Sequence, residues 1–297
     1  MLVYPAGQSD PIRGDLIIRT VLRSDLTPIP QTVELQFRES AETLALKEGS
    51  VMRVGRQGAE FLIVKNSPGG DTGLVAGNQS IRGRAVVGLL ASCAPIAQRT
   101  QRAIYRRGAS LGEIYRACGA QVRIESEFTI DTFCCLKGMT PSFEVAKALQ
   151  EEAGVLVYVD SRVAFRRLSE LLKTTAVVTL NEDSTESVHS EFLEQHHVPF
   201  AFSTGVDGGF LSGRAEGGHG VMYRPRADVR ILNNLGTALI MRRKLQSDFA
   251  PHVLAGMRVD IASKPMVVIT AAHCEDGGAD GGAGQQYTRL WLGELVK

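Results

Sequence analysis

Val33-Glu-Leu-Gln-Phe-Arg38 alternates apolar and polar side chains without a break. A two-residue period puts Val33, Leu35 and Phe37 on one face of a strand and Glu34, Gln36 and Arg38 on the other, one face buried and one wet. Outward from this stretch, Val51 to Val54 and Phe61 to Val64 are two more β-rich runs, and Gly55 and Gly58 between them suit a tight hairpin. Ser67-Pro-Gly-Gly-Asp-Thr-Gly73 reads as a turn cluster. Short antiparallel strands at this spacing predict a small barrel or sandwich over residues 1–90, taken as the first β-barrel domain.

The period then changes. Ala85, Val86, Leu89, Leu90, Cys93 and Ala97 recur at three- and four-residue steps and predict an amphipathic helix. Ser110-Leu-Gly-Glu113 fits a capping box, with a short helix through Ala117 and Gly119 just past its end. Thr140-Pro141 predicts an N-cap and a first helical proline, with the helix running to about Ala153. Val155 to Val159 and Val163 to Phe165 flank Asp160-Ser-Arg162 as a hairpin. Residues 91–172 therefore read as a helical and α/β insert. Beyond it, residues 173–297 read as a second β-barrel region. Its expected parts are a strand at Ala176 to Leu180, a helix near 234–245 that ends on Arg242-Arg-Lys244, a hairpin through Ala262 to Pro265, and a last strand at Tyr287 to Leu292. The fold class expected is α+β, mainly β: two antiparallel β-barrel domains around an inserted helix and hairpin region.

The chain has 297 residues, of which 44% are hydrophobic and 22% charged, which excludes a disordered tail, a collagen-like rod and a membrane channel. A net charge of +1 supplies no general attraction to nucleic acid or acidic lipid. The five cysteines (93, 118, 134, 135, 274) include no Cys-x-x-Cys pair; an odd count in a long chain predicts small buried residues in a reducing compartment. Met1 to Pro11 lacks the basic and apolar regions of a signal peptide, and the apolar stretch Ala85 to Gln98 is too short to span a bilayer, so no membrane insertion is expected.

Candidates for chemistry are weak. Asp71-Thr-Gly73 spells an aspartic-protease tripeptide, but turn residues precede it where an apolar strand is needed. His196-His197 with Glu194 lacks a spaced third metal ligand. His273-Cys274 with Asp276 could suggest a thiol beside a base, but neighbours on a strand face opposite sides, so one buried and one exposed residue is the plainer reading. The cysteine spacing fits no compact iron–sulfur pattern. The expectation is no catalytic centre, no cofactor and no metal. One charge feature stands apart: Arg99, Arg102, Arg106, Arg107, Arg116 and Arg123, with Tyr105 and Tyr115 interleaved. It reads as a solvated helix face, as a nucleic-acid surface, or as a subunit interface in which these arginines meet the acidic segment 182–194, with Glu182, Asp183 and Glu186.

The element order, together with Ser24-Asp-Leu-Thr-Pro-Ile-Pro-Gln-Thr-Val-Glu34, Leu46-Lys-Glu-Gly49, Ser110-Leu-Gly-Glu-Ile-Tyr-Arg-Ala-Cys118, Leu136-Lys-Gly-Met-Thr-Pro-Ser142 and Ala148-Leu-Gln-Glu-Glu-Ala-Gly-Val-Leu-Val-Tyr158, resembles the hub proteins of bacteriophage tail baseplates. The same fold forms the base of the type VI secretion spike. The resemblance implies two similar barrels per subunit and a homotrimeric ring that joins the tail tube protein to the central spike protein. It further implies contacts with the tape measure and other baseplate proteins, DNA only in transit through the ring, a virion location after assembly in the host cytoplasm, and no active site. The alternative is a tail-associated hydrolase or peptidase acting on the host envelope, for which Asp71, His197 and Cys274 are the residues to replace.

Overall fold

The computed structural model describes residues 1–55, 58–76, 79–188, 199–213, 220–277 and 284–296, with the backbone alone for 70–76, 79–82 and 199. The first part holds β1 (Val3–Pro5), β2 (Ile17–Asp25), β3 (Gln31–Arg38), β4 (Val51–Val54), β5 (Glu60–Ala76) and β6 (Gln79–Leu90). The alternation that predicts β3 is realised: Val33, Leu35 and Phe37 are buried, and they pack with Met52, Phe61 and Val86 in one apolar core.

Two expectations fail here. Residues 85–90 belong to strand β6, and only Ala94–Ala97 is helical, as a single 3₁₀ turn. β6, hydrogen-bonded along its edges by β5 and β3, carries apolar residues on both faces, and such a run mimics a helical period. The expected turn at 67–73 instead lies within β5, which pairs with β6 with register shifts between Pro68 and Asp71 and between Asp71 and Val75. The glycines and proline there are absorbed as irregularities in a long hairpin arm.

The middle part runs β7 (Ile104–Ser110), α1 (Leu111–Ala117), β8 (Ile124–Glu125), β9 (Thr129–Cys135), α2 (Pro141–Glu151), β10 (Gly154–Val159), β11 (Arg162–Arg167) and α3 (Leu168–Leu171). The capping box forms in full: the Glu113 N–H donates to Ser110 Oγ at 3.3 Å, and the Ser110 N–H donates to Glu113 Oε2 at 2.7 Å. Gly119 follows the helix at φ +91°, a backbone state that L side chains rarely adopt. Pro141 is the first residue of α2, but the Thr140 side chain makes no capping bond. The hairpin β10–β11 forms as expected, with Asp160 and Ser161 at positive φ in its turn. These elements close on a second core built from Leu111, Ile114, Tyr115, Phe133, Val145, Leu156 and Phe165.

The last part runs β12 (Ala176–Leu180), β13 (Glu186–Ser187), β14 (Pro199–Thr204), β15 (Phe210–Ser212), β16 (Gly220–Tyr223), α4 (Val229–Leu235), β17 (Ala238–Asp248), β18 (Arg258–Ile261), β19 (Lys264–Asp276) and β20 (Gln285–Val296). The helix expected near 234–245 is not there: α4 stops at Leu235, and β17 pairs with β20 from Ala238 to Asp248. A long partner strand outweighs the helical spacing of Leu235, Leu239 and Arg242. The hairpin of β18 and β19 turns at Ala262 and Ser263, and both have positive φ.

The fold is mainly β. The first and last strand sets each pack on an apolar core, and they share one ladder system. β2 pairs antiparallel with β19 from Arg19↔Asp276 to Asp25↔Thr270, so the two sets form a twelve-stranded sheet. Contacts that fasten the insert to the rest include Val157, Leu168 and Leu171 packed with Val267, the Arg258 guanidinium donating to the Leu172 carbonyl at 3.2 Å, and the buried Tyr115 hydroxyl donating to the Pro28 carbonyl at 2.7 Å. β15-β14-β16 is a separate three-stranded sheet whose covered side rests on α4 through Ala201 and Leu232. Ion pairs from Arg224 to Glu151 and from Arg230 to Glu152 tie this unit to the end of α2.

Candidate functional site

The chemical candidates do not converge. Asp71 stands in β5 opposite Arg82, in strand where a turn was expected. Glu194, His196 and His197 lie outside the described residues. His273 and Cys274 face opposite sides of β19, as strand geometry demands, yet both are buried, at 1% and 2% exposure, so the expectation of one exposed residue is corrected. The reason is that β19 is covered on both faces. On one side His273 meets Thr288 and Phe249, its Nδ1 3.1 Å from the Thr288 hydroxyl. On the other, Tyr287, Trp291 and Val21 pack over Cys274. A thiol and an imidazole on opposite sides of a sheet cannot exchange a proton.

The environments argue the same way. Burial pushes the His273 imidazole down to about 4, with His252 adding repulsion and the Val253 backbone opposing, so the ring is neutral near pH 7. Burial pushes the Cys93 thiol up to about 12 and the Cys118 thiol up to about 11, the reverse of what an attacking thiolate needs. Four of the five cysteines are at least partly buried, and Cys134 is exposed. Among the described residues, no group of three or more His, Cys, Asp and Glu side chains could hold a metal ion. No helix among them is long and apolar enough to cross a membrane.

Two clefts are lined by charged side chains. A cleft of about 570 Å³ is lined by Glu182, Arg242, Arg243, Lys264 and Glu294. Its charges are paired: Arg243 with Glu182, and Lys264 with Glu294 at 2.9 Å. A second, of about 490 Å³, lies over the β2–β19 junction with Arg19, Arg23 and Arg289 around Trp291. There Arg19 meets Asp276 at 3.2 Å and Arg23 meets Asp25 at 3.2 Å.

The charged interface candidates separate. Arg99 and Arg102 precede β7, Arg106 and Arg107 lie on it, Arg116 is on α1 and Arg123 follows α1; all six are exposed. Arg107 stacks over the Tyr105 ring at 5.5 Å and hydrogen-bonds its hydroxyl. Of the acidic candidates, Glu182 and Asp183 form a 3₁₀ turn and Glu186 lies on β13. Glu182 is held by Arg243, and Glu186 by Lys244 at 2.7 Å, so the basic run 242–244 complements this segment within the chain.

Sequence reasoning missed one surface. On the uncovered side of β15-β14-β16, Phe202 stacks on Phe210 at 5.4 Å and tilts against Tyr223 at 5.2 Å, with Phe200 alongside. Phe210 is 66% and Val221 75% exposed, an apolar face of a kind that in soluble proteins marks contact with other molecules. The signal was the two-residue spacing of Phe200 and Phe202, which the surrounding glycines obscured.

This fold is shared with solved phage tail proteins and a secretion-system component. The chain superposes on a 43 kDa tail protein of prophage MuSo2 from Shewanella oneidensis with a TM-score of 0.66 at 12% identity, covering 98% of this chain and 97% of that one. A tail protein from Neisseria meningitidis MC58 gives 0.65 at 12% identity, covering 99% and 95%. An Escherichia coli component of the type VI secretion system, itself described as similar to the T4 tail proteins gp27 and gp5, gives 0.56 at 9% identity, covering 98% and 76%. No protein-family model and no curated protein sequence matches the chain.

Proposed function

We propose that this protein is a structural component of a bacteriophage tail baseplate, a hub that joins the tail tube to the central spike. It acts as a homotrimer, and the ring so formed encloses the channel through which the genome passes. The observation that carries this reading is the near end-to-end likeness to two tail proteins, in which neither chain leaves a large domain unmatched. The likeness to a secretion-system component supports a place between tube and spike. One further feature agrees. The exposed apolar face of β15-β14-β16 is suited to burial against another protein. The organisation into residues 1–90, 91–172 and 173–297 is part of the proposal, as is the use of the six arginines in assembly contacts.

The test is assembly. The full chain is mixed with its tube and spike partners, and particle masses are measured by mass photometry, with images of the complexes. The expected result is a three-fold ring bearing three copies of this chain. A chain that stays monomeric with both partners overturns the hub reading. Deleting its gene from the phage should give particles that lack functional tails; infectious particles of normal shape would overturn it as well.

A further inference from the structure

The arginines around β7 and α1 differ from many others in the chain. Arg13, Arg162, Arg167 and Arg258 each meet a carboxylate of the chain, at Asp15, Glu125, Glu152 and Asp260, while the exposed Arg289 bonds to Gln246 Oε1 and lies over the Tyr287 ring. Among the described residues, none of Arg99, Arg102, Arg106, Arg107, Arg116 and Arg123 has a carboxylate within ion-pair distance. Glu113 shares α1 with Arg116, and its carboxylate already accepts the Ser110 N–H in the helix cap. The acidic segment of a second copy is a poor complement, because Glu182 and Glu186 are engaged by Arg243 and Lys244.

We infer that the β7–β9 ribbon, with its preceding loop and α1, is a docking surface for a partner protein that presents carboxylates. The surface is preorganised: Ile104 and Ala109 on β7, Phe133 on β9, and Leu111 and Tyr115 on α1 anchor its underside in the core of the insert, so little ordering accompanies binding. Guanidinium groups match carboxylates through paired N–H donors. β7 and β9 pair only with each other among the described residues, which leaves ribbon edges for a partner strand. Nucleic acid fits less well. Glu113, Glu125, Glu127 and Asp131 are interspersed in the same unit, and an evenly spaced phosphate backbone would meet them as well as the arginines. A protein surface can place its carboxylates one by one and avoid them. This inference holds independently of the tail assembly reading.

The test uses the full chain with two probes, fluorescent poly-L-glutamate and a short DNA duplex of matched charge. Fluorescence anisotropy is read at low salt and again at ~0.15 M. The expected result is binding of poly-L-glutamate in preference to DNA, weakened at least about tenfold by the pair Arg106→Glu and Arg107→Glu, and by a second pair, Arg99→Glu and Arg102→Glu, in the preceding loop. All four side chains are exposed, and unchanged Trp291 fluorescence reports that each variant is folded. Absence of poly-L-glutamate binding, tighter binding of the duplex, or undiminished binding in both folded variants overturns the inference.

Discussion

Acidification should destabilise the C-terminal strand set by way of one side chain. His273 is 1% exposed, and its Nδ1 lies against the hydroxyl of Thr288, which also accepts the Ala250 N–H at 2.9 Å. Its pKa is pushed down to about 4 in the fold, against an ordinary value of 6.5 in the unfolded chain. Between these limits the unfolded chain holds a proton that the folded chain does not, so stability present above pH 6.5 is lost as pH falls towards 4 and then levels off. At ~1.4 kcal/mol for each pH unit of displacement, the full loss is about 3 kcal/mol, and the loss between pH 7 and pH 5 is about 2 kcal/mol. The perturbation is His273→Asn, which retains a polar atom near Thr288 and does not titrate. Urea unfolding followed by Trp291 fluorescence at pH 7, 6 and 5 isolates the effect, because every other titrating group is common to both proteins. The wild type should lose about 2 kcal/mol more than the variant between pH 7 and 5. Parallel loss in the two proteins would refute the reasoning.

Three further outcomes can be checked by the same unfolding assay. Gly88→Ala in β6 would place a methyl 2.9 Å from Val33 Cγ1 and 3.0 Å from both Met52 and Phe61, and should destabilise the first strand set by about 1–3 kcal/mol through overpacking; no change would mean that this core yields freely. Tyr115→Phe removes the hydroxyl bound to the Pro28 carbonyl and should cost ~1 kcal/mol; hydrogen exchange should show loosening both in α1 and near Pro28, and a change confined to α1 would deny the link. Ser110→Ala removes the acceptor for the Glu113 N–H and should cost about 1 kcal/mol, with faster exchange in the first turn of α1; unchanged exchange there would count against the cap.

Local chemistry was readable from the chain wherever a signal was short-ranged. The alternation of β3, the Ser110–Glu113 box, Pro141 at a helix start and the turn at Asp160 and Ser161 all depend on neighbours within a few residues. The errors came where distant partners decide. Ala85 to Leu90 has a helical period, but β5 and β3 claim it as a strand from either side. Arg242 to Lys244 looked like a helix end, but they lie on β17, where Arg243 and Lys244 answer Glu182 and Glu186. His273 and Cys274 were both buried because β19 is covered on each face, which a single strand's pattern cannot reveal. The six arginines were visible at once, but their lack of in-chain carboxylates was not, because pairing is a property of the folded surface.

The seam between β2 and β19 also sets a timetable for synthesis. Asp25 accepts from the Thr270 hydroxyl at 2.6 Å across 245 residues of chain. When β2 leaves the ribosome, its neighbour strand has yet to be made, and the exposed flank of β2 must wait. The insert, whose core draws largely on residues 90–165, can fold in the meantime and hold the nascent chain compact. Closure by β19 comes only after those 245 residues have been made, so products truncated before β19 carry an open edge and are prone to aggregate.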